Sequence, residues 1–79
     1  MSAQPIAVQV AEQLSPYLGP FNARIAVKTF AQKSLQLAPE ALTIEHLPVL
    51  LEALRPMLHT LVGRVSTEAL LEKIRRGVT

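Results

Sequence analysis

The chain has 79 residues, 49% of them hydrophobic, and eight cationic against six acidic residues give it a net charge of only +2. Because it contains no cysteine, disulfides cannot stabilise it, and its length allows one domain over residues 1–79 with a small core. Domains of this size are marginally stable alone, so the large apolar fraction favours self-association as a homodimer.

The sequence contains no targeting or membrane-spanning signal. Its start, MSAQPIAVQ, lacks the basic residues and the apolar segment of a signal peptide. It also has no charge-free apolar run of about 18 residues, the length that would indicate a transmembrane helix. We therefore expect a cytoplasmic protein with no membrane span.

The first predicted helix covers Ser2 to Leu14, with Ser2 as its N-cap. Its apolar residues recur every four positions from Ile6 to Leu14, the spacing of one helix face. Val8 falls outside this stripe, which suggests a helix that is buried on two sides. Two prolines and a glycine then follow between Ser15 and Pro20 and predict a turn, either open or with one irregular helical turn that contains Tyr17 and Leu18.

The second predicted helix covers Phe21 to Leu37, and Pro20 suits its first position. Small and apolar residues recur along one side of it, while Phe21 and Ile25 widen the apolar arc. A wide arc is expected of a helix that packs between two others. The helix should end before Pro39, because a residue that precedes proline leaves the α region.

The longest apolar stripe lies between Leu47 and Gly63, in the segment LPVLLEALRPMLHTLVG. Leucines and a methionine recur at helical spacing from Leu47 to Leu61, which predicts a helix that is central to the core. Thr43 is its predicted N-cap. Pro56 interrupts the backbone hydrogen bonds and predicts either a kink or two short collinear helices.

The last predicted helix covers Thr67 to Arg76 and ends at Gly77. Ser66 is its predicted N-cap, and Val65 and Leu70 are placed to form a hydrophobic staple. No alternating β-pattern occurs anywhere in the chain. The sequence therefore predicts an all-α fold, a compact bundle of four to five short helices.

The residues that catalysis and metal binding need are largely missing. The chain has no aspartate, no cysteine and no glycine-rich phosphate loop. Its two histidines, His46 and His59, would point to nearly opposite sides of a helix, which argues against a zinc site. We expect neither enzymatic activity nor a cofactor.

The polar side of the long helix is the candidate site for a protein partner. Glu52, Arg55 and His59 are three and four residues apart and share that side. Arg64 follows shortly after the predicted helix end. We predict that these four residues contact a partner.

The segment His59–Gly63, HTLVG, resembles the His-x-x-Lys-Gly core of histidine-containing phosphotransfer domains. The resemblance implies that His59 is an exposed phosphoacceptor and that Gly63 leaves room for a response regulator. Val62 stands where that family has a lysine, which neutralises the phosphate. Phosphotransfer is therefore an alternative, and a surface histidine near a helix end explains the same residues without it.

A longer segment, Leu14 to Phe30, resembles the YxGPxA-x-x-x-V-+ pattern of small helical modules appended to bacterial signalling proteins such as Ser/Thr kinases and response regulators. The matching residues are Tyr17, Gly19, Pro20, Ala23, Val27 and Lys28. The resemblance implies a non-catalytic adaptor or oligomerisation module that binds a bacterial signalling component.

Nucleic-acid binding is disfavoured, because the cations are spread along the chain rather than gathered with aromatic residues. The one cluster is Lys73, Arg75 and Arg76 near the C-terminus. It leaves weak nucleic-acid binding as a third possibility, although cations at a helix C-terminus are also expected from the helix dipole alone.

Overall fold

Four α-helices form the protein, whose computed structural model describes residues 5–78. The helices are α1 (Ile6–Leu18), α2 (Pro20–Leu35), α3 (Leu47–Val62) and α4 (Arg64–Gly77), and the 3-10 turns Pro39–Ala41 and Ile44–His46 lie between α2 and α3. This confirms the predicted all-α bundle. The N-cap predicted at Ser2 lies outside the described residues, and none of the described helices is long and apolar enough to cross a membrane.

Single glycines make both helix-to-helix corners. Gly19 (φ 88°, ψ 151°) joins α1 to α2, and Gly63 (φ 85°, ψ 162°) joins α3 to α4. Each glycine donates its N–H to the carbonyl four residues earlier and accepts a hydrogen bond from the N–H four residues later, at N–O distances of 2.8 to 3.1 Å. Residues that carry a side chain rarely adopt these backbone angles. Glycine adopts them readily and therefore allows the chain to reverse within one residue.

The first corner is shorter than predicted. The chain reverses within Ser15 to Pro20 as predicted, and Tyr17 and Leu18 are helical, but they belong to α1, which continues to Leu18 and leaves only Gly19 non-helical. Pro16 is tolerated inside α1 on an exposed side, where the unpaired carbonyl can meet water. The Ser15 hydroxyl also donates to the Ala11 carbonyl, at 2.8 Å.

At the second corner, α4 begins three residues earlier than the predicted start at Thr67. Ser66 is not the N-cap, because α4 already begins at Arg64 with Gly63 as the capping residue. The predicted staple is also wrong, as Val65 is 85% exposed. Thr67 is fully buried instead, and its hydroxyl donates to the Gly63 carbonyl at 2.7 Å. The glycine corner thus replaces the cap that the sequence suggested.

The core lies between α3 and the other three helices. Leu50, Leu51, Leu54 and Leu58 of α3 are essentially inaccessible to solvent, which confirms most of the predicted stripe. Leu61 is an exception, because it is 58% exposed. It lies in the last turn of α3, beside a groove along α2 that no described element covers. Pro56 lies on an exposed side of α3, which is one helix rather than two.

Three apolar residues that were expected to be buried are exposed. Val8, Phe21 and Ile25 are 41%, 74% and 45% exposed. The cause is that α1 and α2 each bury a single face: α2 packs on α1 and α3 through small residues such as Ala23 and Ala31. The predicted packing of α2 against two other helices is confirmed, but the apolar arc is wider than the buried face and leaves Phe21 and Ile25 at the surface.

Candidate functional site

Three of the four residues predicted to contact a partner lie in one group, and Arg64 lies apart from them. Glu52 and Arg55 make an ion pair, with Oε1 3.1 Å from Nη1. Both Arg55 and His59 reach Glu68 of α4, whose Oε2 is 3.0 Å from Arg55 Nε and 3.2 Å from His59 Nε2. Arg64 is exposed and forms no ion pair with any described residue. We name Glu52, Arg55, His59 and Glu68 the α3–α4 ion cluster.

The ion cluster links α3 to α4 through the contacts of Glu68 with Arg55 and His59. Its side chains are between about a third and two thirds exposed, and ion pairs at such positions contribute up to about 1 kcal/mol each. Arg55 Nε is close to Glu68, but it makes no hydrogen bond there because the N–H is not directed at the oxygen. The carboxylates therefore compensate these cations within the chain.

Glu68 is the cluster member that the sequence did not reveal. It is nine residues from His59, and the predicted start of the last helix at Thr67 left its distance from α3 undefined. Gly63 was the feature of the sequence that could have revealed this contact. A one-residue corner places the first turn of α4 beside the last turns of α3, so a carboxylate in that turn can reach cations on α3.

The geometry around His59 opposes phosphotransfer. A phosphoryl group on Nε2 would have to displace the Glu68 carboxylate and bring a second negative charge next to it. Val62, at the position of the family's lysine, is partly buried against the core. Gly63 has a structural reason as the corner residue, so its match to the phosphotransfer pattern needs no response regulator.

The second histidine is engaged elsewhere. His46 lies just before α3, and its Nδ1 accepts a hydrogen bond from the Thr43 backbone N–H at 3.0 Å. Thr43 thus caps the 3-10 turn that leads into α3. Among residues 5–78, no three His, Asp or Glu side chains are grouped closely enough to hold a metal ion.

The C-terminal cations are partly neutralised. Arg75 and Arg76 both pair with Glu72, at 3.4 and 3.0 Å. Lys73 forms no ion pair with any described residue. This arrangement on the exposed side of α4 favours helix stabilisation over a surface for phosphates.

An apolar groove runs between α2 and α3, and none of the ion-cluster residues lines it. It has a volume of about 440 Å³. Its walls carry apolar side chains from the end of α1, from α2 and from α3: Tyr17, Ile25, Phe30, Met57 and Leu61. Phe21 lies four residues before Ile25, on the same side of α2. We name this feature the α2–α3 groove, with Phe21 at its edge.

Much of the apolar surface of the groove is accessible. Tyr17 and Ile25 are each 45% exposed, and Phe21 and Leu61 are more exposed still. Single exposed apolar residues are common in soluble proteins, whereas a continuous patch marks an interaction surface. Periodicity missed this site because it cannot distinguish a residue in the core from one in an open groove.

The cations of α2 differ from those of α3 and α4. Arg24, Lys28 and Lys33 are exposed and form no ion pair within the described chain. The reason is local, since no acidic residue occurs between Glu12 and Glu40. Arg24 and Lys28 line a second groove, of about 410 Å³, between α1 and α2. The outer side of α2 is therefore both apolar and basic.

Comparison of the chain with protein-family models, with curated proteins and with solved structures finds no match. A function for the chain must therefore be argued from its own surfaces. The two that stand out are the α3–α4 ion cluster, whose charges are paired internally, and the α2–α3 groove, whose apolar residues are open.

Proposed function

We propose that this chain is a non-catalytic helical module that binds a protein partner in bacterial signalling or regulation. The observation that carries the proposal is the exposure of Tyr17, Phe21, Ile25 and Leu61 around one groove. A partner that covered them would gain about 25 cal/mol for each Å² of apolar surface removed from water. Aromatic residues at such a surface are typical of protein interfaces.

The link to bacterial signalling rests on the resemblance of the segment Leu14 to Phe30. That segment forms the first corner, with Gly19 and Pro20. It also supplies three of the exposed apolar residues, namely Tyr17, Phe21 and Ile25. The residues that carry the resemblance therefore build the corner that presents the groove.

The groove is a better partner site than the predicted polar residues. Glu52, Arg55 and His59 already have ionic partners within the chain, so a binding protein would have to replace those contacts. Of the four predicted residues, Arg64 alone makes no ion pair with any residue between positions 5 and 78. It follows Leu61 by three residues along the chain, at the start of α4, and does not line the groove.

Affinity capture from a lysate of the native host tests this function. The wild-type chain is compared with Phe21→Ser and Leu61→Ser in the groove, with Glu52→Ala in the ion cluster, and with Val65→Ser as an exposed apolar control. We expect the groove variants to lose a captured protein that the other two retain. Capture that depends on Glu52 and not on Phe21 or Leu61 would return the site to the ion cluster.

A further inference from the structure

We propose that two copies of this chain associate through the groove between α1 and α2, so that Glu12 of each copy pairs with Arg24 and Lys28 of the other. We name this feature the α1–α2 groove. It shares no lining residue with the α2–α3 groove, which is the surface assigned to the protein partner. The chain could therefore hold a partner and a second copy at the same time.

The α1–α2 groove has two walls that start at the Gly19 corner and run side by side away from it. Residues of α1 line it over positions 7–15, and residues of α2 line it over positions 20–28. Its floor consists of small or buried apolar side chains: Ala7, Ala11 and Val27. Small side chains allow the helices of a second molecule to approach closely. Val8, which is 41% exposed on the α1 wall, is an apolar side chain that such a molecule would cover.

The two walls carry charges of opposite sign. Glu12 lies on the α1 wall, and Arg24 and Lys28 lie on the α2 wall. All three are exposed, and none of them makes an ion pair with any residue between positions 5 and 78. Glu12 is seven residues before the corner at Gly19, and the two cations are five and nine residues after it. From the rise of an α-helix, the carboxylate lies about 10 Å from the corner, at a level between the cations at about 8 and 14 Å.

A twofold dimer makes these charges complementary. In such a dimer the same surface lies on both sides of the interface, so a contact between two different residues occurs twice. When the twofold axis is parallel to the helices, α1 of one copy faces α2 of the other, and levels along the helices are preserved. Glu12 of each copy then meets Arg24 and Lys28 of the other. With the axis across the helices, α2 would face α2 and the cations would repel their symmetry mates, so the charges select the first arrangement.

Other occupants match the two walls less well. Nucleic acid or an acidic helix would suit the cations but would bring negative charge against Glu12. A basic helix would suit Glu12 but would meet Arg24 and Lys28. A matching surface has carboxylates along one side and cations along the other, and this face of the chain has that pattern itself.

Charge-swap variants of the full chain test the proposal. Glu12→Lys makes all three charges on the walls positive, and Arg24→Glu/Lys28→Glu makes all three negative, so each variant repels its own copy. Sedimentation velocity over a concentration series, at about 0.1 M salt, gives the dissociation constant of each dimer. Native mass spectrometry of an equal mixture of the two variants identifies a heterodimer by its mass. Far-UV circular dichroism of each variant shows that it remains folded.

We expect the wild-type chain to dimerise and each charge variant alone to weaken the dimer at least about tenfold, since the ion pairs that are lost occur twice in the interface. The mixture of the two variants should recover the dimer as a heterodimer. The triple variant Glu12→Lys/Arg24→Glu/Lys28→Glu exchanges the signs of the walls and should dimerise like the wild type. Val8→Ser should weaken the dimer, while Lys73→Glu, a charge reversal on α4, leaves it unchanged.

Three outcomes overturn the proposal. A wild-type chain that stays monomeric up to about 1 mM does not use this groove for a second copy. A dimer that the charge variants leave unchanged uses another surface, which is the α2–α3 groove if Leu61→Ser abolishes it. A mixture of the two charge variants that forms no heterodimer shows that Glu12 does not meet Arg24 and Lys28 across the interface.

Discussion

Leu54 and Leu58 lie on the buried side of α3, and their side chains are completely inaccessible to solvent. Truncation to alanine removes apolar contacts and leaves a cavity, at a cost of about 2–5 kcal/mol. A domain of this size has a total stability of roughly 4–12 kcal/mol. We expect Leu54→Ala and Leu58→Ala to lower the free energy of unfolding by that cost in urea titrations.

The matched control for these truncations is Val65→Ala, because Val65 is 85% exposed. Substitutions at such positions change stability by less than about 0.5 kcal/mol. If Val65→Ala destabilises the protein as much as Leu54→Ala, then Val65 is covered in solution, by a second copy or by a different packing of α4.

At His59 we expect no phosphorylation, because Glu68 occupies the space at Nε2 and opposes a further negative charge. The chain is incubated with acetyl phosphate or with a phosphorylated response regulator, and its intact mass is measured under non-acidic conditions. His59→Ala and Glu68→Gln are the comparison variants. A phosphoryl adduct on the wild-type chain that His59→Ala abolishes would establish the phosphotransfer alternative.

At the scale of one helix, Pro56 removes a backbone hydrogen bond from the middle of α3. Replacing it with alanine restores a donor for the Glu52 carbonyl and removes the clash of the ring, so we expect Pro56→Ala to fold and to gain up to about 3 kcal/mol of stability. Pro48→Ala is the control, because proline in a first turn costs little. Loss of folding in Pro56→Ala would mean that α3 requires the proline.

Glycine is favoured at the helix ends that have a positive φ, so removing it at one end and introducing it at another should change stability in opposite directions. Gly63 has open space around its Cα but a φ of 85°, so Gly63→Ala should cost about 1–3 kcal/mol through backbone strain rather than through a clash. Gln36 ends α2 in the left-handed conformation, with φ 55°. Gln36→Gly should therefore stabilise the protein by up to about 1 kcal/mol. Thermal melts of both variants measure the two effects, and a destabilised Gln36→Gly would show that its side chain is needed.

At the scale of the whole molecule, the separation of charges predicts how association depends on salt. Binding of an acidic ligand, such as the Glu12 side of a second copy, to the exposed cations of α2 should weaken as salt rises, because the Debye length falls from about 10 Å at 0.1 M to about 3 Å at 1 M. Self-association through the α2–α3 groove should instead persist at high salt, because none of the described residues that line the groove is charged. Light scattering at both salt concentrations thus also tests the predicted homodimer. A dimer that is strongest at low salt would show that its interface lies elsewhere.

The sequence by itself determined the helical elements of this protein and the centre of its core. The spacing of Leu47 to Leu58 defined the buried side of α3, because a helix of fixed period must place those residues on one face. Gly63 and Gly77 also marked helix ends as predicted. These features depend on local geometry, which the order of residues specifies.

Only the tertiary structure decided which apolar residues are open and which charges are paired. Phe21, Ile25 and Leu61 satisfy a helical apolar pattern, yet their exposure depends on whether a neighbouring helix covers them. The contact of His59 with Glu68 depends on a reversal at Gly63 within a single residue. Both are properties of how helices are placed against one another, and periodicity along one helix contains no information about that placement.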